Sequence, residues 1–282
     1  GGPPQVLSDG QKIWIQNAGF IWVPLVIAST IAAWWGMDDI ADVKSSFREQ
    51  AVIFGRAHNW IMCVLYVGTF GSFIGYSAGF PLLARLAFPD INIMKFVFLG
   101  PLVGALSRAG TGWISDRVGG GRVTFWVFVG MILSVLLVIW SLKANLFTVF
   151  FLGFMLMFFF TGVGNASTFQ MIPVIMRKEV ARIFPHFDAN QQRPQAERES
   201  AAIIAFSSEI GAYGGFFIPK AFGTSIGLTG NAQAALWAFV AFYALCLAIT
   251  WLYYTRKGGM LYDIERRQTT ADPASPPGQA QT

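Results

Sequence analysis

The chain has 282 residues, 54% of them hydrophobic and 12% charged, with a formal net charge of +5. A soluble globular domain carries about twice that charged fraction, so the composition argues against an ordinary soluble enzyme or binding module and places the chain in the membrane class. The positive balance does not indicate nucleic acid, because Lys and Arg are spread over several loops rather than gathered in one patch.

The opening "GGPPQVLSDG" reads as a loop entered midway, with no signal peptide. A helix needs about 20 apolar residues to cross a ~30 Å hydrocarbon core. In chain order, such runs are predicted at 13–35, 60–84, 93–110, 123–142, 147–176, 200–226 and 232–254. The fifth contains Gly162, Gly164 and Pro173, so it is expected to bend or to extend past the membrane. The two cysteines, Cys63 and Cys246, fall inside apolar runs and are expected to be buried free thiols. The end, "TTADPASPPGQAQT", has the composition of a disordered tail.

Lys and Arg alternate between the connections. One set holds Lys44, Arg48 and Arg56, then Arg117 and Arg122, then Arg177, Lys178, Arg182, Arg193 and Arg198, and last Arg256, Lys257, Arg266 and Arg267. The opposite set holds Lys12, Arg85 and Lys143, with Lys95 at a helix start. The asymmetry predicts a cytoplasmic C-terminus and an outer N-terminus.

With that orientation, helical rise gives depths. Arg108 lies ~12 Å above the charged turn at Asp116, Tyr66 and Phe70 lie ~9 and ~15 Å in from Trp60, Asn165 and Gln170 lie ~18 and ~10 Å above Arg177, and Glu209 lies ~13 Å in from Ser200. Polar and aromatic groups from four helices thus share one slab near mid-membrane, with Asn165, Ser167 and Glu209 as candidate cavity residues. Sites of secondary transporters lie at that depth. A guanidinium keeps its proton, so Arg108 needs water, an anion or a strong partner. An anion site competes with two structural alternatives: the Arg108 stem bending to the inner interface, or a neutralising pair with Glu209. Lys220, beside Pro219, is expected to reach the outer interface. Gly71, Gly75 and Gly79, and likewise Gly211 and Gly215, recur every four residues and predict close helix packing, static or sliding.

The turn "GTGWISDRVGGGR" resembles the cytoplasmic motif of major facilitator transporters, with Gly112, Asp116, Arg117, Gly119 and Arg122 in the motif places and one extra glycine before the last arginine. By its form this is a tight turn whose Asp pairs with Arg and latches neighbouring helices. Three further stretches, "YVGTFGSFIGYSAGFPLLARLAFPD", "TGVGNASTFQMIPVIMRK" and "GAYGGFFIPKAFGTSIGLTG", resemble the NarK-type nitrate/nitrite porters of that superfamily. The resemblance runs from about Gln11 to Tyr254. It implies an all-α, polytopic membrane protein with a major facilitator-type helix bundle, incomplete at about seven transmembrane helices. These would be helices six to twelve of twelve, with an N-terminal half and its second arginine missing. It further implies that Arg108 contacts the anion, that Tyr66 and Phe70 flank it, and that Gly211, Gly214 and Gly215 belong to the nitrate signature.

The domains expected are an outer loop and last helix of the N-terminal half (1–35), a cytoplasmic inter-half loop (36–59), a six-helix C-terminal half (60–254) and a disordered tail (255–282). The function expected is alternating-access transport of nitrate and nitrite across the inner membrane, as antiport. The alternatives are proton-coupled symport and a non-transporting remnant that needs a separate N-terminal half. No enzyme activity, metal, cofactor or nucleic-acid partner is expected. A retinal protein would need a lysine in the last helix, and His58 and His186 fall in loops, away from any haem-ligand or nucleophile–base position within the helices. A seven-helix receptor is disfavoured by the motif turn.

Overall fold

The structure, a computed structural model, describes residues 5–6, 12–14, 20, 22–37, 46–262 and 264–266. It divides into two compact units, Gly1–Ser46 and Phe47–Thr282.

In the first unit, β1 (Gln5–Val6) pairs antiparallel with β2 (Lys12–Ile13). Helix α1 spans Trp22–Gly36 and buries none of its residues. The first apolar run was expected to span from Ile13; instead Ile13 belongs to β2 and α1 has 15 residues. At ~1.5 Å per residue it is ~22 Å long, short of the ~30 Å core. Pro24 explains the helix start. It lacks an N–H and is tolerated in a first turn, which is where it sits; a helix begun at Ile13 would place it in the interior.

The second unit is a helix bundle. Short α2 (Phe47–Gln50) runs into a 3-10 turn, Ala51–Gly55. Then come α3 (Ala57–Tyr66), a π turn (Val67–Gly71), α4 (Ser72–Ala87), α5 (Leu99–Val118), α6 (Gly120–Ala144), α7 (Phe147–Ile183), α8 (Ala189–Ala212), α9 (Gly214–Thr229) and α10 (Gln233–Thr250), which ends in a second π turn, Trp251–Thr255. Six continuous helical segments among the described residues are long and apolar enough to cross a membrane, rather than seven: Ala57–Ala87, Ile93–Val118, Gly120–Ala144, Phe147–Ile183, Ala189–Thr229 and Gln233–Thr255.

Two segments outrun the apolar pattern. Helix α7 has 37 residues, ~55 Å, and exceeds the ~45 Å of a bilayer with its headgroups. The α8–α9 segment begins at Ala189, before the expected Ser200. Its polar start, "ANQQRPQAERES", is held by a capping box. Asp188 Oδ1 accepts from Gln191 N at 2.9 Å, and Gln191 Oε1 accepts from Asp188 N at 3.3 Å.

The bundle packs around α7, which lies against both α5 and α6. Phe150, Phe154 and Phe158 of α7 interlock with Phe80 and Tyr76 of α4, with ring centroids 4.8 Å apart for Phe80 and Phe154. From the start of α3 to the middle of α8, Arg56 Nε and Nη2 each donate to the Glu199 carboxylate at 2.8 Å. Such a planar fork between two largely buried groups fixes the angle between helices as well as their distance. Cys63 and Cys246 are buried free thiols.

The chain after α10 was expected to be disordered from 255. Among its described residues, Arg256–Leu261 form bends and turns, and Tyr262 and Ile264–Arg266 are helical. The remaining tail, 267–282, lies outside the described residues, as do 38–45 of the loop after α1.

Candidate functional site

The Val67–Gly71 π turn interrupts the α3–α4 helix where Tyr66 and Phe70 stand. One-turn π bulges inside α-helices mark functional positions in many proteins, because the extra residue re-aims the side chains around it. Here Tyr66 and Phe70 stack, with centroids 5.2 Å apart and planes 23° apart. The Tyr66 hydroxyl donates to Asn165 Oδ1 of α7 at 2.8 Å. Phe169, one helical turn beyond Asn165, places its ring 5.0 Å from Tyr66. The Arg108 guanidinium of α5 lies 5.6 Å over that same ring. A line of four residues, Arg108–Phe169–Tyr66–Phe70, therefore joins α5, α7 and the π turn.

Arg108 and Asn165 also line a recess of about 330 Å³ with Phe73, Gly104, Ala105, Ala109, Gly162 and Ala166. Most of these are small, which brings the backbones of α5 and α7 together below the guanidinium. A Cβ on Gly162 would lie 2.0 Å from Ser107 Oγ and 2.2 Å from Gly104 O. Arg108 is exposed on this face and makes no ion pair among the described residues. It stands nine residues from the start of α5 at Leu99 and eight from Asp116, which is ~14 Å and ~12 Å along the helix, near the middle of the span.

The glycine-rich stretch of α8–α9 packs against this constellation. A Cβ on Gly211 would meet Tyr66 Cδ1 at 2.9 Å and Phe70 Cδ1 at 3.1 Å, so a glycine leaves room for both rings. A Cβ on Gly214 would lie 2.1 Å from Gly71 O, and one on Gly215 would lie 2.7 Å from Ile74 Cγ2. The stretch therefore holds α9 backbone-to-backbone against the π turn and α4.

Several expected residues sit elsewhere. Glu209 is exposed on α8 and forms no pair with Arg108, so the neutralising pair is not formed. Ser167 does not reach the recess. Two residues on from Asn165 it points to the opposite face of α7 and bonds Thr124 Oγ1 of α6 at 2.8 Å. Lys220 is nine residues, ~14 Å, before the end of α9 rather than close to that end, and its ammonium lies 5.7 Å over Phe216. In the motif turn, the expected Asp–Arg pair is replaced by other partners. Asp116 Oδ1 accepts from Gln170 Nε2 of α7 at 2.6 Å, Arg117 lies 5.2 Å over Trp113, and Arg122 Nε is 3.8 Å from Glu265 Oε2. Gly119 ends α5 at φ +102°, a conformation that favours glycine, whereas Gly112 is open on its Cβ side. Among the described residues no group of three or more His, Cys, Asp or Glu side chains is placed to hold a metal. Phe169 was missed. Its spacing of four from Asn165, on one helical face, was the signal available.

The Tyr66–Asn165 bond makes one stability prediction. Tyr66→Phe leaves the Asn165 amide oxygen, in a residue only 1% exposed, without its donor. A loss of ~1–3 kcal/mol is expected, read as a lower midpoint of thermal unfolding in detergent.

No protein-family model matches the chain. Among curated proteins it is 46% identical over 262 residues to "Nitrate/nitrite transporter NarU" of Salmonella typhimurium and 44% identical over 261 residues to the protein of the same name from Escherichia coli. It is 38% identical over 268 residues to "Probable nitrate/nitrite antiporter NarK2" of Thermus thermophilus. Each match covers 91% of this chain and 56% of the relative, so the chain spans about half the length of the curated relatives it matches. The six apolar helices and these homologues make it a multi-pass membrane protein. By sequence the chain is a homologue of proteins named as NarU and NarK2 nitrate/nitrite transporters or antiporters, and it matches about half the length of each.

Proposed function

We propose that the chain is the C-terminal part of an inner-membrane nitrate/nitrite transporter that works by alternating access, with its own C-terminus in the cytoplasm. A further half, matching the part of the relatives that the chain does not cover, completes the site and brings a second cation to the anion. The reading rests above all on Arg108: a guanidinium at mid-span, exposed to a recess, with no carboxylate partner among the described residues. Nitrate and nitrite are flat monovalent oxyanions. Two parallel N–H groups of a guanidinium match two of their oxygens. Tyr66, whose one hydroxyl proton is held by Asn165 Oδ1, would turn that donor to the anion on binding, and Phe70 supplies a flat apolar wall. Binding the anion needs neither a covalent step nor a metal.

The preferred mode is exchange of nitrate for nitrite, the reading that the Thermus relative's name also carries. Glu209, an exposed carboxyl on a membrane-spanning helix, favours the rival reading of proton-coupled uptake. Proteoliposomes of the complete transporter, loaded with nitrite, should take up labelled nitrate by counterflow without a proton gradient. Glu209→Gln should leave that exchange intact. Uptake driven only by a proton gradient and abolished by Glu209→Gln would replace antiport by symport, and no flux in either arm would leave a remnant.

A further inference from the structure

Beyond α10 the chain folds back onto the end of the bundle. Gly258 takes φ +82° and reverses its direction. Met260 N then donates to Tyr253 O at 2.9 Å, and Leu261 N to Tyr254 O at 3.3 Å. Leu261 is buried, and Lys178 of α7 donates to the Met260 carbonyl. This returning segment carries Glu265 to the junction between α5 and α6, where it is only 2% exposed.

At that junction the carboxylate meets the start of α6. Gly121 N donates to Glu265 Oε1 at 2.6 Å, and Arg122 Nε lies 3.8 Å from Oε2. Gly121 is the second residue of α6, so its N–H is one of the four that a helix leaves without an internal partner. A carboxylate there also faces the positive end of the helix dipole. The capping group thus comes from sequence more than a hundred residues away rather than from the usual residue just before the helix.

The local sequence is fitted to this side chain. A Cβ on Gly119 would lie 2.3 Å from Glu265 Cγ, and one on Gly121 would lie 2.8 Å from Oε1. Gly119 and Gly121 of the motif turn therefore make the space that Glu265 fills, while Gly120 between them packs against α7. The same turn carries Asp116, bonded to Gln170 of α7. One junction thus links α5, α6, α7 and the segment after α10. Burial pushes the Glu265 carboxyl up to about 7, against the pull of the Gly121 N–H and Arg122. Sequestering the group opposes its ionisation, which polar partners offset only in part.

We propose that Glu265 is a positioning residue for transport: it caps α6 from the far end of the chain and holds the Asp116–Arg122 turn in one geometry through the cycle. The proposal rests on the transport reading above. Glu265 touches no anion site, so it acts on the rate of rearrangement and not on recognition.

The test uses the complete transporter in proteoliposomes, with nitrate counterflow normalised to folded protein. Glu265→Ala should lower turnover about tenfold, the loss of one charge-assisted hydrogen bond, while the nitrate KM stays within twofold. Glu265→Gln keeps an acceptor oxygen at the same reach and should restore most of the turnover. If Glu265→Ala does not fold, Gly121→Ala, whose Cβ is aimed at Oε1, serves as the disruptive variant. Turnover equal to wild type, a parallel change in KM, or no rescue by glutamine would each overturn the proposal. An inactive wild type would instead remove the transport reading on which it rests.

Discussion

Arg108→Lys is expected to weaken nitrate binding to the complete transporter by about 10- to 100-fold, with folding unchanged. Lysine keeps the charge, so the variant isolates shape. The guanidinium offers two N–H donors in one plane, fixed relative to each other, whereas an ammonium presents a single compact charge with no such fork. Losing one charge-assisted hydrogen bond is worth ~1.5–3 kcal/mol, which sets the range. The contact over Phe169 at 5.6 Å weakens as well, because a planar cation stacks on a ring and an ammonium does not. Folding should hold: Arg108 is exposed and makes no ion pair among the described residues, so little packing is lost. Titration with labelled nitrate, alongside a thermal melt of each variant, separates the two effects. Unchanged affinity would remove Arg108 from the anion site.

Arg108 was legible in the sequence for the reason that makes it a candidate. A charge inside an apolar run is costly, so one residue stands out without any structure. The membrane spans were legible on the same ground, since apolar length is a direct readout of bilayer thickness. What the pattern could not see was anything decided by a polar contact. The start of α8 is fixed by the Asp188–Gln191 box, in a stretch that hydropathy reads as loop. Ser167 was placed in the cavity by depth alone, but depth fixes height on a helix and not direction; its hydroxyl faces Thr124. Phe169 went unnoticed because its one signal, the spacing of four from Asn165, is shared by many aromatic residues in apolar helices and singles none out until the neighbours are known. Glu265 falls in a segment whose composition reads as tail, and its partner Gly121 is 144 positions away. Such contacts are set by tertiary packing, which leaves only indirect traces in local sequence. The extra glycine of the motif turn was such a trace.

Gly214→Ala should cost more than any other single methyl added to the signature stretch. Its Cβ would lie 2.1 Å from Gly71 O and 2.4 Å from Gly71 C and Cα, all backbone atoms that cannot rotate aside. The only relief is to push α9 away from the π turn, which disturbs the contact along its length. At Gly215 the nearest atom is a side-chain carbon of Ile74 at 2.7 Å, which can turn. Overpacking of this kind costs ~1–3 kcal/mol, a fall of roughly 2–12 °C in Tm for a unit of this size. Gly223→Ala is the control. It sits on the same helix with nothing within 4 Å of its new Cβ, and alanine is the better helix former, so its Tm should hold or rise. The displacement in Gly214→Ala also reaches the site, because Gly211, three residues earlier, lies against Tyr66 and Phe70. Nitrate transport should therefore fall further than the loss of folded protein accounts for. If Gly214→Ala melts with Gly223→Ala, the helices have room to move apart at no cost, and close approach at this contact does not hold the site together.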